Sequence, residues 1–140
     1  MARDAWLNHL AQVPLFANCS KKQLQAVAAA SIELTIDAGK VLVREGEAGH
    51  ECFVIMEGTA NVSRKGETIA TLGVGDVVGE LAPLTGGLRT ATVTAETAME
   101  LLVIGQREFA GLLDEVPGLA VSVLHNLAHR MVELEELAFK

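Results

Sequence analysis

One stretch of this chain carries residue types able to do chemistry. Gly79-Glu80-Leu81-Ala82 sets a carboxylate after a glycine, and Arg89-Thr90-Ala91-Thr92-Val93 brings a guanidinium nine positions after that carboxylate. Between them lie a short apolar turn and the pair Gly86-Gly87. Arginine presents a planar set of donors that matches a phosphate bidentately. An ionised glutamate only accepts hydrogen bonds, and so suits a hydroxyl donor such as a ribose 2′-OH. A ligand with a sugar hydroxyl and a phosphate close together would satisfy both groups, and a cyclic nucleotide is such a ligand. The bland alternatives are a surface ion pair for Arg89 and a solvated turn position for Glu80. The glycine before Glu80 and the apolar turn after it favour an inward-pointing carboxylate.

Three segments must hold these residues. Residues 1–30 read as helical. Trp6, Leu7 and Leu10 share a face of a short first helix, and Pro14-Leu15-Phe16 reads as a turn with an apolar plug. Ser20 followed by Gln23 is a capping-box signature ahead of Leu24, Val27, Ala28 and Ala30. Over residues 31–104 the apolar period becomes two. Ile32, Leu34 and Ile36 alternate, as do Val41 and Val43, while Cys52 to Met56 is a continuous apolar run. Further strands are expected over Thr59–Ser63, Ile69–Leu72, Arg89–Thr94 and Met99–Ile104, separated by glycine-bearing turns. Short strands at this density indicate an antiparallel barrel or roll. Residues 106–138 read as a helix pair: Gln106 to Leu113, then Pro117 to Leu137 with proline near the first turn. In the longer helix Ala120, Leu124, Leu127, Met131 and Leu134 form an apolar stripe. That stripe suits packing on the roll, covering a ligand, or a coiled-coil seam.

Composition narrows the function classes. The 140 residues suit one domain, and half of them are apolar with 21% charged. A net charge of −7 argues against a bulk nucleic-acid binder, which needs a basic face. No apolar run approaches the ~20 residues of a membrane span. The N-terminus lacks a basic-then-apolar signal pattern, so the cytoplasm is the expected compartment. Cys19 and Cys52 lack a metal-ligand spacing and read as reduced, buried or half-buried thiols.

The run from Val78-Gly79-Glu80-Leu81-Ala82 to Leu88-Arg89-Thr90-Ala91-Thr92-Val93 resembles the phosphate-binding cassette of cyclic nucleotide-binding domains. That pattern reads roughly Phe-Gly-Glu-Leu-Ala, a helical turn, then Pro-Arg-x-Ala-Thr-Val. Val78, Pro83 and Leu88 depart from it, and Leu88 removes a rigid kink. Gly46, Gly49, Phe53, Ile55, Gly58 and Val62 resemble the first half of the same family, with the glycines expected at positive-φ turn positions. The resemblance spans roughly residues 10 to 138. It implies an α+β, mainly β fold: an antiparallel jelly-roll-like β-roll with N-terminal helices and a C-terminal helix pair. It also implies a ligand, cAMP ahead of cGMP, with the phosphate on Arg89 and on backbone amides of the Leu81–Thr85 turn, Ala82 first among them. Glu80 would take the ribose 2′-OH.

Other residues carry two readings. Thr90 either meets the phosphate and a syn guanine or is a plain strand residue. Arg130 either caps the purine, as an arginine at about this separation does in channel members of the family, or is a solvated helix arginine; Leu127 and Met131 are alternative lid contacts. His125 and His129 share a helix face with Glu133, but the helix carries no His-Glu-x-x-His order, so a solvated face is the expectation and no metal is assigned.

The resulting expectation is a stand-alone, bacterial-type sensor that binds a cyclic nucleotide without catalysing its turnover. The chain would end without a helix-turn-helix, would act on an effector protein of unknown kind, and would be a monomer or weak homodimer. Two competing readings are a cupin-like metal or small-molecule protein and a degenerate domain used only for association. Clustered strand histidines would mark the first, yet His9, His125 and His129 lie outside the expected roll. Loss of the Glu80–Arg89 pair would mark the second.

Overall fold

The structure, a computed structural model, describes residues 3–79 and 87–138, with the side chains at 3–5, 130 and 134 left aside. Two helices lead in: α1 (Arg3–Ala11) and, after a 3-10 turn at Pro14–Phe16, α2 (Lys21–Ala30). The capping box at α2 forms: the Gln23 amide donates to Ser20 Oγ at 3.2 Å, and the Ser20 amide donates to Gln23 Oε1 at 2.8 Å. Such a cap contributes about 1 kcal/mol by satisfying amides that the first turn leaves open.

Among the described residues eight strands follow: β1 (Ile32–Ile36), β2 (Val41–Val43), β3 (Cys52–Glu57), β4 (Ala60–Arg64), β5 (Glu67–Leu72), β6 (Val77–Val78), β7 (Thr92–Ala95) and β8 (Met99–Ile104). They form two four-stranded antiparallel sheets, in the orders β1-β8-β3-β6 and β2-β7-β4-β5. Two helices close the described chain, α3 (Gln106–Glu115) and α4 (Pro117–Ala138). This is the helix-flanked antiparallel roll expected from the sequence.

The apolar run of β3 is continuous because both of its faces are covered. Phe53 and Ile55 point into the roll with Val43, Val78, Val93, Met99 and Leu101. Cys52, Val54 and Met56 face the helical layer with Leu102, Ile104, Phe16 and Phe109. β3 and β8 therefore share the load of both cores, and their residues gain apolar burial at about 25 cal/mol per Å² from each side. Burial also raises the Cys19 thiol above its ordinary pKa.

Three expectations change against the structure. The Ile32–Leu34 alternation does not bury its apolar side, because β1 is a sheet edge: Ile32 is 71% exposed. β7 starts at Thr92 rather than Arg89, since residues 88–91 are drawn off the ladder towards the loop after β2. In α4 the packed residues are Leu119, Ser122 and Val123, with Leu127 against the helical core, while Leu124 and Met131 of the expected stripe are exposed. The packed face follows the 3-10 turn that α4 meets, which is a long-range contact with no local signature.

Candidate functional site

Arg89 is the centre of the site. It is one of two buried polar or charged residues among those described, the other being Ser122. Its backbone is clamped to the loop between β2 and β3. The Arg89 amide donates to Glu47 O at 2.8 Å, the Gly46 amide donates to Arg89 O at 2.9 Å, and Leu88 bridges Ala48. Neighbouring bonds extend the clamp: the Glu45 amide donates to Thr92 Oγ1, and Arg64 Nε donates to Thr90 O, each at 3.0 Å.

The side chain lies in a slot made by two glycines. A β-carbon at Gly49 would overlap Arg89 Nε and Cζ, and one at Gly79 would overlap Nη1. Gly79 also has φ +70°, a conformation that side-chain-bearing residues rarely adopt. Gly49 is not among the positive-φ positions expected of it; it is needed for space. Gly46 and Gly58 do take positive φ.

Two long-range features bring the slot together. Gly49 precedes β3, and Gly79 follows β6, whose Val77 and Val78 pair with Val54 and Phe53. The turn into β6 is closed by Asp76 Oδ2, which accepts from the Gly73 amide at 2.8 Å, and by reciprocal bonds between Ile55 and the Gly75–Asp76 pair at 2.9 Å.

The guanidinium has a defined electrostatic setting. Nη2 donates to Glu51 O at 2.8 Å and to Glu51 Oε1 at 3.3 Å. Cζ stands 5.9 Å from the Phe53 ring centroid, within the range of a cation–π contact. Among the described residues the carboxylate at this buried guanidinium is Glu51, whose 45% exposed side chain leaves it free to give way to another anion. The chemistry available is therefore recognition of a phosphate or carboxylate.

The remaining sequence-predicted residues divide as follows. Gly79 lies against Arg89 as described. Glu80, Leu81 and Ala82 fall outside the described residues. Thr90 is exposed, and its carbonyl is occupied by Arg64. Arg130 belongs to α4, but its side chain is outside the description. His125 and His129 are exposed on α4, and no group of three metal-ligating side chains converges among the described residues. Sequence reasoning missed the partnership of Glu51 and the spatial role of Gly49. The signal available was the Gly49-x-x-x-Phe53 spacing, which marks the start of β3 but not what lies across from it.

Comparison with known proteins gives the same frame. The family model for the cyclic nucleotide-binding domain matches residues 33–116, more than half of the chain. A cAMP-dependent protein kinase regulatory subunit of Yarrowia lipolytica is 34% identical over 116 residues, covering 81% of this chain and 31% of that protein. A cyclic nucleotide-gated potassium channel of Rhizobium etli is 33% identical over 114 residues, covering 81% of this chain and 32% of that protein. The chain thus spans about a third of the length of these curated relatives. Among solved structures, cAMP-bound PfPKA-R (141-441) superposes with a TM-score of 0.82 at 26% identity, covering 97% of this chain and 47% of that one. The matched span runs from β1 to the end of α3 and contains the glycine slot with its arginine; the chain belongs to the cyclic nucleotide-binding domain family.

Proposed function

We propose that this chain binds a 3′,5′-cyclic nucleotide, cAMP in preference to cGMP, as a regulatory module for an effector protein. Arg89 holds the cyclic phosphate, aided by amides of the Leu81–Thr85 turn, and Glu80 accepts the ribose 2′-OH. The observation that carries this reading is the buried Arg89 side chain lying between Gly49 and Gly79, where a β-carbon at either position would overlap the guanidinium. cAMP is put first because the kinase relative and the solved structure are both named for it. The module acts by binding alone: phosphodiester cleavage needs a metal-activated water or a positioned base, and the sequence places no acid–histidine cluster near the cassette. A cytoplasmic setting and a monomer or weak homodimer complete the reading, since a seam of about two to three heptads is short for a stable coiled coil.

Isothermal calorimetry on folded protein cleared of nucleotide should give heat with cAMP and a weaker response with cGMP, with no AMP formed on incubation. Absence of heat with both ligands would remove the binding reading.

The second half of α4 serves as the lid over the base, with Arg130, Leu127 or Met131 as its contacts. Support comes from its poor packing. Leu124, Met131, Val132 and Leu137 are exposed, and Asn126, His129 and Glu133 border an open cavity of about 340 Å³ beside Pro14 and Asp76. An amphipathic helix keeps its hydrogen bonds internal, so it can exchange solvent for base contact at small net cost. Saturating cAMP should slow amide exchange from Asn126 to Glu135. Unchanged exchange there would leave a binder without a lid.

A further inference from the structure

We propose that the Glu51 carboxylate is a resident competitor for the phosphate site, occupying the Arg89 fork until an anionic ligand displaces it. The inference rests on the reading of Arg89 as the phosphate-binding residue and identifies what sets the affinity there.

A guanidinium offers two edges for bidentate binding, Nε with Nη2 and Nη1 with Nη2, and Nη2 belongs to both. In this structure Nη2 spends its two hydrogens on Glu51, one on the main-chain carbonyl at 2.8 Å and one on the carboxylate at 3.3 Å. Neither two-nitrogen edge is therefore open to an incoming phosphate. Of the two bonds, the carbonyl one is short and its acceptor is anchored immediately before β3. The carboxylate one is long, and its side chain is 45% exposed, so it can swing into solvent without disturbing the strand.

The carboxylate is not what holds Arg89 in position. The backbone bonds to Gly46 and Glu47 and the walls at Gly49 and Gly79 do that already. What Glu51 supplies is a negative charge at the place where the phosphate charge must arrive. Without ligand it offsets the buried guanidinium; with ligand it becomes a like charge beside the phosphate. Ligand binding must therefore break one charge-assisted contact to make another, which lowers affinity and makes the release of Glu51 part of the binding event.

The test compares the wild-type chain with Glu51→Gln, which keeps the shape and an acceptor oxygen but removes the charge. Calorimetry with cAMP should show about three- to five-fold tighter binding for Glu51→Gln, the size that a partly exposed ion pair carries. The ligand-free variant should melt no higher than wild type, and its melting temperature should rise more on saturation. In an Arg89→Ala background the same substitution should bring no gain. Equal or weaker binding by Glu51→Gln would overturn the proposal, as would a gain that persists without Arg89, which would assign the effect to overall charge. If the wild-type chain binds no cyclic nucleotide, the nucleotide reading fails separately. Melting in inorganic phosphate against chloride of matched ionic strength then decides on Glu51: extra stabilisation of Glu51→Gln over wild type supports the competitor, and equal stabilisation overturns it.

Discussion

Arg89→Ala should weaken cAMP binding by about thirty-fold or more. Truncating one member of a buried, hydrogen-bonded charge pair costs roughly 2–5 kcal/mol, and each 1.4 kcal/mol is about a factor of ten. Arg89 meets the conditions for the upper part of that range. It is 9% exposed, lies over Phe53, and is held on both backbone sides by the β2–β3 loop. The truncation also leaves the Glu51 carbonyl without its donor and opens space between two glycines, so a melting curve must accompany the titration. Arg89→Lys separates charge from shape: a compact ammonium keeps the charge but not the two-nitrogen edge, and should recover only a small part of the affinity. Normal binding by a folded Arg89→Ala protein would show that the phosphate sits elsewhere.

Gly49→Ala should damage binding about as severely, by roughly thirty-fold, although the residue offers a ligand no functional group. Its new methyl group would occupy the place of the Arg89 guanidinium, touching Nε and Cζ at once. The guanidinium must then leave its slot, and the phosphate site leaves with it. Overpacking of this kind also costs about 1–3 kcal/mol of stability, which heat denaturation would register. Gly79→Ala should act in the same direction, with backbone strain added at φ +70°. Gly66→Ala is the matched control: it too sits at positive φ, but nothing lies within 4 Å of its added methyl, so it should lose stability and keep its affinity. If Gly49→Ala folds and binds as wild type does, the observed place of Arg89 is not the one it takes with ligand.

Much of this molecule is local and was therefore legible along the chain. The Ser20–Gln23 cap closes over three residues, so its two bonds follow from residue type and spacing alone. The strands at Ile32 and Val41 begin where the period of two begins, because side chains alternate across a sheet whatever it pairs with. Arg89 stood out for the same kind of reason: its place in the Gly79-to-Val93 pattern is a matter of type and order.

Tertiary structure decided the matters that depend on what lies across from a residue. Glu51 meets Arg89 across 38 positions, and Gly49 and Gly79 wall the slot from two distant segments, one before β3 and one after β6. β6 is two residues long, too short to declare a period, and exists because Phe53 and Val54 offer it a partner. Leu88 and Arg89 leave the expected strand because the β2–β3 loop takes up their backbone bonds. The apolar stripe on α4 shows the limit most clearly. A periodicity gives the directions in which apolar side chains point, and several faces of α4 carried them. Only the position of the 3-10 turn and α3 selected Leu119 and Val123 for burial and left Leu124 and Met131 in solvent. Hydrogen bonding and alternation act over a few residues and leave their mark in sequence. A close approach between distant segments is fixed by how the whole chain fills space, and single residues record it only as room left empty, as at Gly49.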